Sequence, residues 1–192
     1  DLKAESAPMN VGQMYITDDG KTRLYIRISQ YGRMTVPLHW NQSADSGVTI
    51  DWGDNSTPET YTGTGNKNTT HTYASVGDYV ITLEVTSGTM RLGNGTNSNC
   101  VLGSTSAAGR VYTNMLKKVE IGNGVLDIGN YTFYACLSLA SITIPNSVQS
   151  IGDYALSTCY SLASITIPSS VQSISDYAFY YGYALASITI PN

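Results

Sequence analysis

Catalysis in this chain would have to come from very few side chains, because its 192 residues include two histidines and three cysteines. A nucleophile needs a base within hydrogen-bond reach, and a metal needs several ligands at close spacing. His71 lies in the run H-T-Y, His71 to Tyr73, where a structural hydrogen bond is the simplest reading. His39 stands beside Trp40 at an expected strand edge. Neither has Cys, Asp or Glu at metal-ligand spacing. A pair drawn from Cys100 and His71 is left open by the sequence. Asp51, Asp54 and Asp78 could collect around calcium, but that ion takes about six to eight oxygen donors and no loop offers them at suitable spacing. No phosphate-binding or nucleophile-elbow glycine pattern occurs, and Gly122 to Gly124 reads as a turn. We therefore expect no enzyme, no cofactor and no metal.

The elements that would position these residues are dominated by a repeat. The run S-I-T-I-P occurs at Ser141, Ser164 and Ser187, spaced by 23 residues. A constant period of that length predicts a solenoid in which each copy buries its apolar face against a neighbour. Alignment puts Leu139, Leu162 and Leu185 in one inward column, Ile142, Ile165 and Ile188 in a second, and Ile144, Ile167 and Ile190 in a third. Alternation with Ser and Thr predicts a short strand with one buried face. Proline ends it, since it has no N–H for a ladder. Val148 with Ile151, and Val171 with Ile174, give a second apolar pair. Asp153, with apolar residues three apart behind it, predicts an N-cap and one or two helical turns. A less regular copy runs from Leu116 through Val119, Val125 and Phe133, with Asn130 in the capping place. Cys136 and Cys159 share a column with Gly182, which reads as a place for small buried side chains; Cys100 has no assigned role.

This repeat resembles the leucine-rich repeats of the BspA type, found in bacterial surface proteins, over residues 116–192. Proline stands where the commoner leucine-rich consensus has the Asn of a ladder, so no Asn ladder is expected. The resemblance implies a secreted or cell-surface bacterial protein, extracellular in location. The chain begins at Asp1 rather than Met, which we read as removal of an export signal.

Upstream, short alternating runs at Met14, Leu24 to Ile28, Met34 to Leu38, Val48 to Trp52 and Tyr79 to Val85 are separated by turn residues. They predict an immunoglobulin-like β-sandwich. The W-G-D run, Trp52 to Asp54, then His71 to Tyr73, then Gly77, Tyr79 and Val80, resembles the polycystic-kidney-disease (PKD) domain. The family's Gly after W-G-D is Asn55 here. The resemblance implies fold-supporting roles: Trp52 in the core, Asp54 closing a turn, Tyr79 near a corner. The expected organisation is mostly β: a tail over 1–12, a PKD-like sandwich over 13–90, a connector with a possible cap over 91–115, where Tyr112 and Met115 fold onto the first rung, and 23-residue leucine-rich repeats over 116–192.

Charged residues make up 12 % of the chain, against a usual share of about 25 %. With a net charge of −4 and no cluster of Lys or Arg along the sequence, no nucleic-acid footprint is present. No apolar run reaches the roughly 20 residues of a transmembrane helix. Two outward sets could bind a partner. The hydroxyl columns are Ser141, Ser164 and Ser187 with Thr143, Thr166 and Thr189, headed by Lys118 and Glu120. The variable tyrosines are Tyr134, Tyr160, Tyr180, Tyr181 and Tyr183; Tyr154 and its equivalents recur in each copy and read as packing. Tyrosine joins an apolar face to a polar tip at low entropic cost. The expected role is adhesion to a host extracellular protein or a bacterial surface protein through the array, with the sandwich as spacer. The alternatives are a glycan-binding accessory module and a structural stalk.

Overall fold

The computed structural model describes residues 19–29, 33–43, 46–93 and 99–190. The tail expected over 1–12 and the run at Met14 lie outside them.

Alternating apolar residues place β1 (Thr22–Ile28), β2 (Thr35–Gln42), β3 (Gly47–Asp51) and β6 (Gly77–Ser87) where the sequence predicts strands. Two further strands, β4 (Glu59–Thr62) and β5 (Gly65–Thr72), are polar apart from Tyr61, which packs edge-on against Trp40. Side chains support β5 against β2: Thr35 with Thr72, His39 Nδ1 with Asn68, and Asn41 with Asn66, each at 2.7 Å. A seventh strand, β7 (Met90–Leu92), precedes a short helix, α1 (Arg110–Thr113). The array contributes β8 (Leu116–Glu120), β9 (Val125–Ile128), β10 (Ser141–Thr143), β11 (Ser150–Ile151), β12 (Ser164–Thr166), β13 (Ser173–Ile174) and β14 (Ser187–Thr189).

The two halves of the chain share their sheets. One sheet runs β10-β8-β1-β6-β3-β4 and the other β13-β11-β9-β7-β2-β5, while β12 and β14 form a third of two strands. β8 pairs antiparallel with β1, Leu24 opposite Val119, and parallel with β10, Ile142 opposite Val119. β9 pairs parallel with β7, Leu92 opposite Ile128. Residues 91–115, expected to be a connector, therefore begin inside a strand that joins the two halves. Met90 and Leu92, which fall out of register with the repeats in sequence, supply that joint.

One apolar core follows from the shared sheets. Trp40, Trp52, Leu38 and Ile81 belong to the same buried cluster as Leu116, Val119, Val125, Phe133 and Leu139. Each of these side chains contributes roughly 1.5–3 kcal/mol by leaving water, before ordering costs. Met115 and Thr113 close the junction: the Arg27 N–H donates to the Met115 carbonyl at 2.8 Å, and the Thr113 hydroxyl donates to the Ala135 carbonyl at 2.9 Å.

The helical turns expected after Asp153 do not form. Tyr131, Tyr154 and Tyr177 have φ of 58°, 53° and 58°, and Ala135, Thr158 and Tyr181 have φ of 54°, 64° and 56°. Left-handed residues four apart break any helix. What they permit is a third ladder between rungs. Tyr131, Phe133 and Ala135 donate N–H groups to the carbonyls of Asp153, Ala155 and Ser157 at 2.9, 2.8 and 3.0 Å. The alternate amides of Tyr134 and Cys136 close local turns onto Tyr131 and Phe133. Asn130, expected to cap a helix, accepts through Oδ1 from the Asp153 N–H of the next rung at 2.9 Å. This ladder adds to those of the strands, although β10 and β12 are not hydrogen-bonded to each other.

Gly122 sits where the first rung meets the start of β1. A Cβ there would lie 2.1 Å from the Gly20 carbonyl oxygen and 2.7 Å from the Thr22 nitrogen. All three of the nearest atoms belong to the backbone of Gly20 to Thr22, which leaves no flexible side chain to move. Gly122→Ala is expected to destabilise the protein by about 1–3 kcal/mol, read as a lower urea midpoint; an unchanged midpoint would mean that the rung does not press against β1.

Candidate functional site

The residues with catalytic potential are occupied by the fold. The His71 Nε2 and Asp54 Oδ2 atoms lie 2.7 Å apart, and the imidazole stacks on Trp52 with centroids 4.8 Å apart and planes 12° off parallel. The Tyr73 hydroxyl donates to the Trp52 carbonyl at 2.9 Å. Asp51 accepts from the Gly53 N–H and Asp54 from the Ser56 N–H, each through Oδ1, closing two turns. Tyr79 packs on Tyr73 and donates to the Ser75 carbonyl at 2.9 Å. Among the described residues no three His, Cys, Asp or Glu side chains gather to hold a metal ion.

The three cysteines are free and buried. Cys100 and Cys159 contact the Tyr134 and Phe133 carbonyls at 3.8 and 3.3 Å, with Cys136 electrostatically linked to both thiols. The residue after Cys100 explains its place: the Val101 N–H donates to the Thr132 carbonyl at 2.7 Å, and the Val101 carbonyl accepts from the His39 N–H at 2.9 Å. This segment lies across the turn side of the first rung, so Cys100 belongs with the cysteine column of the repeats. Burial pushes the Cys100 and Cys159 thiols up to about 12, and raises Cys136 well above the ordinary range. A thiolate nucleophile is inaccessible there at neutral pH.

The outward hydroxyl columns are present on the strand face. Ser141, Thr143, Ser164, Thr166, Ser187 and Thr189 are all exposed, with Ser164 opposite Ser187 and Thr166 opposite Thr189. Their first members differ. Glu120 is buried, accepts from the Tyr25 hydroxyl at 2.8 Å and pairs with Lys118 at 2.8 Å, while the Lys118 ammonium lies 4.9 Å from the Tyr25 ring centroid. The columns therefore begin as a bindable surface at Ser141.

Tyrosines organise the turn side. Tyr131, Tyr154 and Tyr177 stack in sequence, with centroids 5.1 and 4.9 Å apart and planes 9° and 12° off parallel. Their left-handed backbone aligns the rings along the array axis, and they spend their faces on one another. Tyr180 lies edge-on to both Tyr154 and Tyr177. Tyr180 and Tyr181 are 3.9 Å apart, Tyr181 and Tyr183 5.5 Å, and Tyr160 and Tyr183 5.5 Å. Tyr160, Tyr180, Tyr181 and Tyr183 thus form one exposed aromatic patch, with Tyr183 the most open at 75 %. Tyr134 is half-buried against Tyr131, away from that patch. Tyr177, assigned to packing by its recurrence, is also exposed.

The architecture is a mostly β molecule whose second half is a β-solenoid of about three turns. Residues 110–192 match the family described as "BspA type Leucine rich repeat region (6 copies)". Among solved structures, the chain is similar to the crystal structure of a leucine-rich repeat protein from Bacteroides ovatus ATCC 8483, at 29 % identity and a TM-score of 0.33. That similarity covers 41 % of this chain and 26 % of the other, so the chain spans only a minor part of that protein's length. No curated protein matches. No helix among the described residues is long and apolar enough to cross a membrane.

The Asp54–His71 contact yields a pH dependence. Burial raises the Asp54 pKa, but hydrogen bonds from Ser56 and His71 outweigh it and bring the group from 3.8 to about 2. A depressed carboxylate pKa stabilises the fold above the unfolded value, and this stabilisation is lost as pH falls from about 4 towards 2. Urea midpoints measured across that window should fall in the wild type and fall less in Asp54→Asn. Equal slopes would show that the contact carries no stability.

Proposed function

We propose that this chain is a non-enzymatic, secreted or cell-surface bacterial protein that mediates adhesion through the surface of its leucine-rich array. In this reading the N-terminal β layers are a PKD-like unit that serves as spacer and as the cover of the array's first rung. The packing of Trp52, Asp54, His71 and Tyr73 around one turn supports the PKD-like part. The partner is a protein on a host or bacterial surface.

The observation that carries the proposal is the patch of Tyr160, Tyr180, Tyr181 and Tyr183. Contiguous exposed aromatics on a soluble protein mark contact surfaces, and tyrosine is enriched among the residues that dominate binding energy. Charged residues are only 12 % of the chain, which suits contact by shape and hydrogen bonding.

The test is binding of the purified chain to a panel of immobilised extracellular-matrix proteins and bacterial surface proteins. Tyr181→Ser combined with Tyr183→Ser should weaken a saturable interaction tenfold or more, with the melting temperature unchanged because both side chains are exposed. Loss in Thr143→Arg alone would move the contact to the hydroxyl columns. Absence of any saturable interaction would sink the proposal.

A further inference from the structure

The sequence has no run of basic residues, yet the fold gathers three cations at the junction of its two halves. A cleft of about 290 Å³ is lined by Arg27 from β1, Ser29, Arg33, Asn114 and Lys117 from β8, with Val111 and Met115 as its apolar part. Among the described residues one carboxylate, Asp78, pairs with these cations. The Arg27 Nε and Nη2 atoms donate to Asp78 at 2.6 and 2.8 Å, which fixes the guanidinium and leaves its Nη1 edge uncommitted. Arg33 and Lys117 make no ion pair among the described residues. The Lys117 ammonium has a single long hydrogen bond, 3.4 Å to the Asn114 carbonyl. Burial holds its pKa below the usual lysine range, and Arg27 beside it acts in the same direction. Holding uncompensated cations together is unfavourable unless an anion joins them.

The remaining lining identifies the kind of anion. Asn114 Oδ1 is buried away from the cleft and has no hydrogen-bond partner among the described residues, so it is not a group a ligand reaches directly. Ser29 adds a hydroxyl. Among the described residues that line the cleft there is no aromatic ring to stack a base. The volume is at the lower limit of small-molecule sites, roughly 300 Å³, and a bare inorganic anion would leave much of it empty. We infer that this cleft binds one acidic sugar, its carboxylate or sulfate held between Arg33 and Lys117 and its hydroxyls facing Ser29. Val111 and Met115 offer apolar surface to the C–H face of the ring. The inference does not depend on the tyrosine patch, which belongs to another part of the molecule.

Calorimetric titration of the full chain with glucuronic acid, N-acetylneuraminic acid and glucosamine 6-sulfate tests it, with glucose, N-acetylglucosamine and inorganic sulfate as comparisons. At least one acidic sugar should bind saturably and ten times or more tighter than the neutral sugars and sulfate. The response separates a carboxylate from a sulfate as the preferred group. Arg33→Gln and Lys117→Gln should each weaken binding tenfold or more while the melting temperature stays that of the wild type, and the double tyrosine variant should bind as the wild type does. Equal binding of neutral sugars, equal binding of inorganic sulfate, or indifference to both substitutions would overturn the inference. Should Lys117→Gln disturb folding, Arg33→Gln decides alone.

Discussion

The first rung of a stacked array has one side with unpaired backbone groups and bare apolar side chains, and this protein's architecture follows from how that side is covered. β1 supplies an antiparallel partner for β8, and β7 supplies a parallel partner for β9. The same strands are already bound on their other sides to β6 and β2. Two sheets of an antiparallel β unit are thereby continued as two faces of a solenoid, and the residues around Val101 cover the third. A strand edge that invites aggregation is converted into a joint.

Identical columns show what this covering achieves. Ile142, Ile165 and Ile188 occupy the same place in three copies and are 9, 3 and 42 % exposed. Chemistry does not distinguish them; the number of neighbouring rungs does. The tyrosine column behaves similarly, since Tyr131 and Tyr154 have rings stacked against following neighbours while Tyr177 keeps its outer surface open. The last described copy is thus the most exposed, and the aromatic patch adjoins it.

Much of this is legible in the sequence where the physics is local or periodic. The 23-residue period, the inward Leu and Ile columns and the outward hydroxyls follow from alternation and proline placement. Turn geometry was harder to read: Asp153 followed by apolar residues three apart fits a helix start, but the left-handed tyrosines and the rung-to-rung bonds of Phe133 and Leu156 override that pattern. β4 and β5 carry no apolar alternation and are held by cross-strand hydroxyl and amide pairs, so periodicity gives no signal for them. The joint is illegible for another reason. Leu24 and Val119 are 95 residues apart, and no local rule connects them. Arg27, Arg33 and Lys117 are equally dispersed, which is why a charge census finds no cluster where the fold builds one.

The two tryptophans, Trp40 and Trp52, both lie in the N-terminal layers, so their fluorescence reports that part alone. The most direct test of the shared architecture is native-state hydrogen exchange of the β8 and β9 amides, compared with the unfolding free energy that tryptophan fluorescence gives. If the first rung and the N-terminal layers form one cooperative unit, the amides of Val119 and Ile128 should open with the same free energy as those of Ile26 and Ile81, and match the fluorescence value. Exchange of β8 and β9 at a clearly lower free energy, with the tryptophan core still folded, would contradict the account.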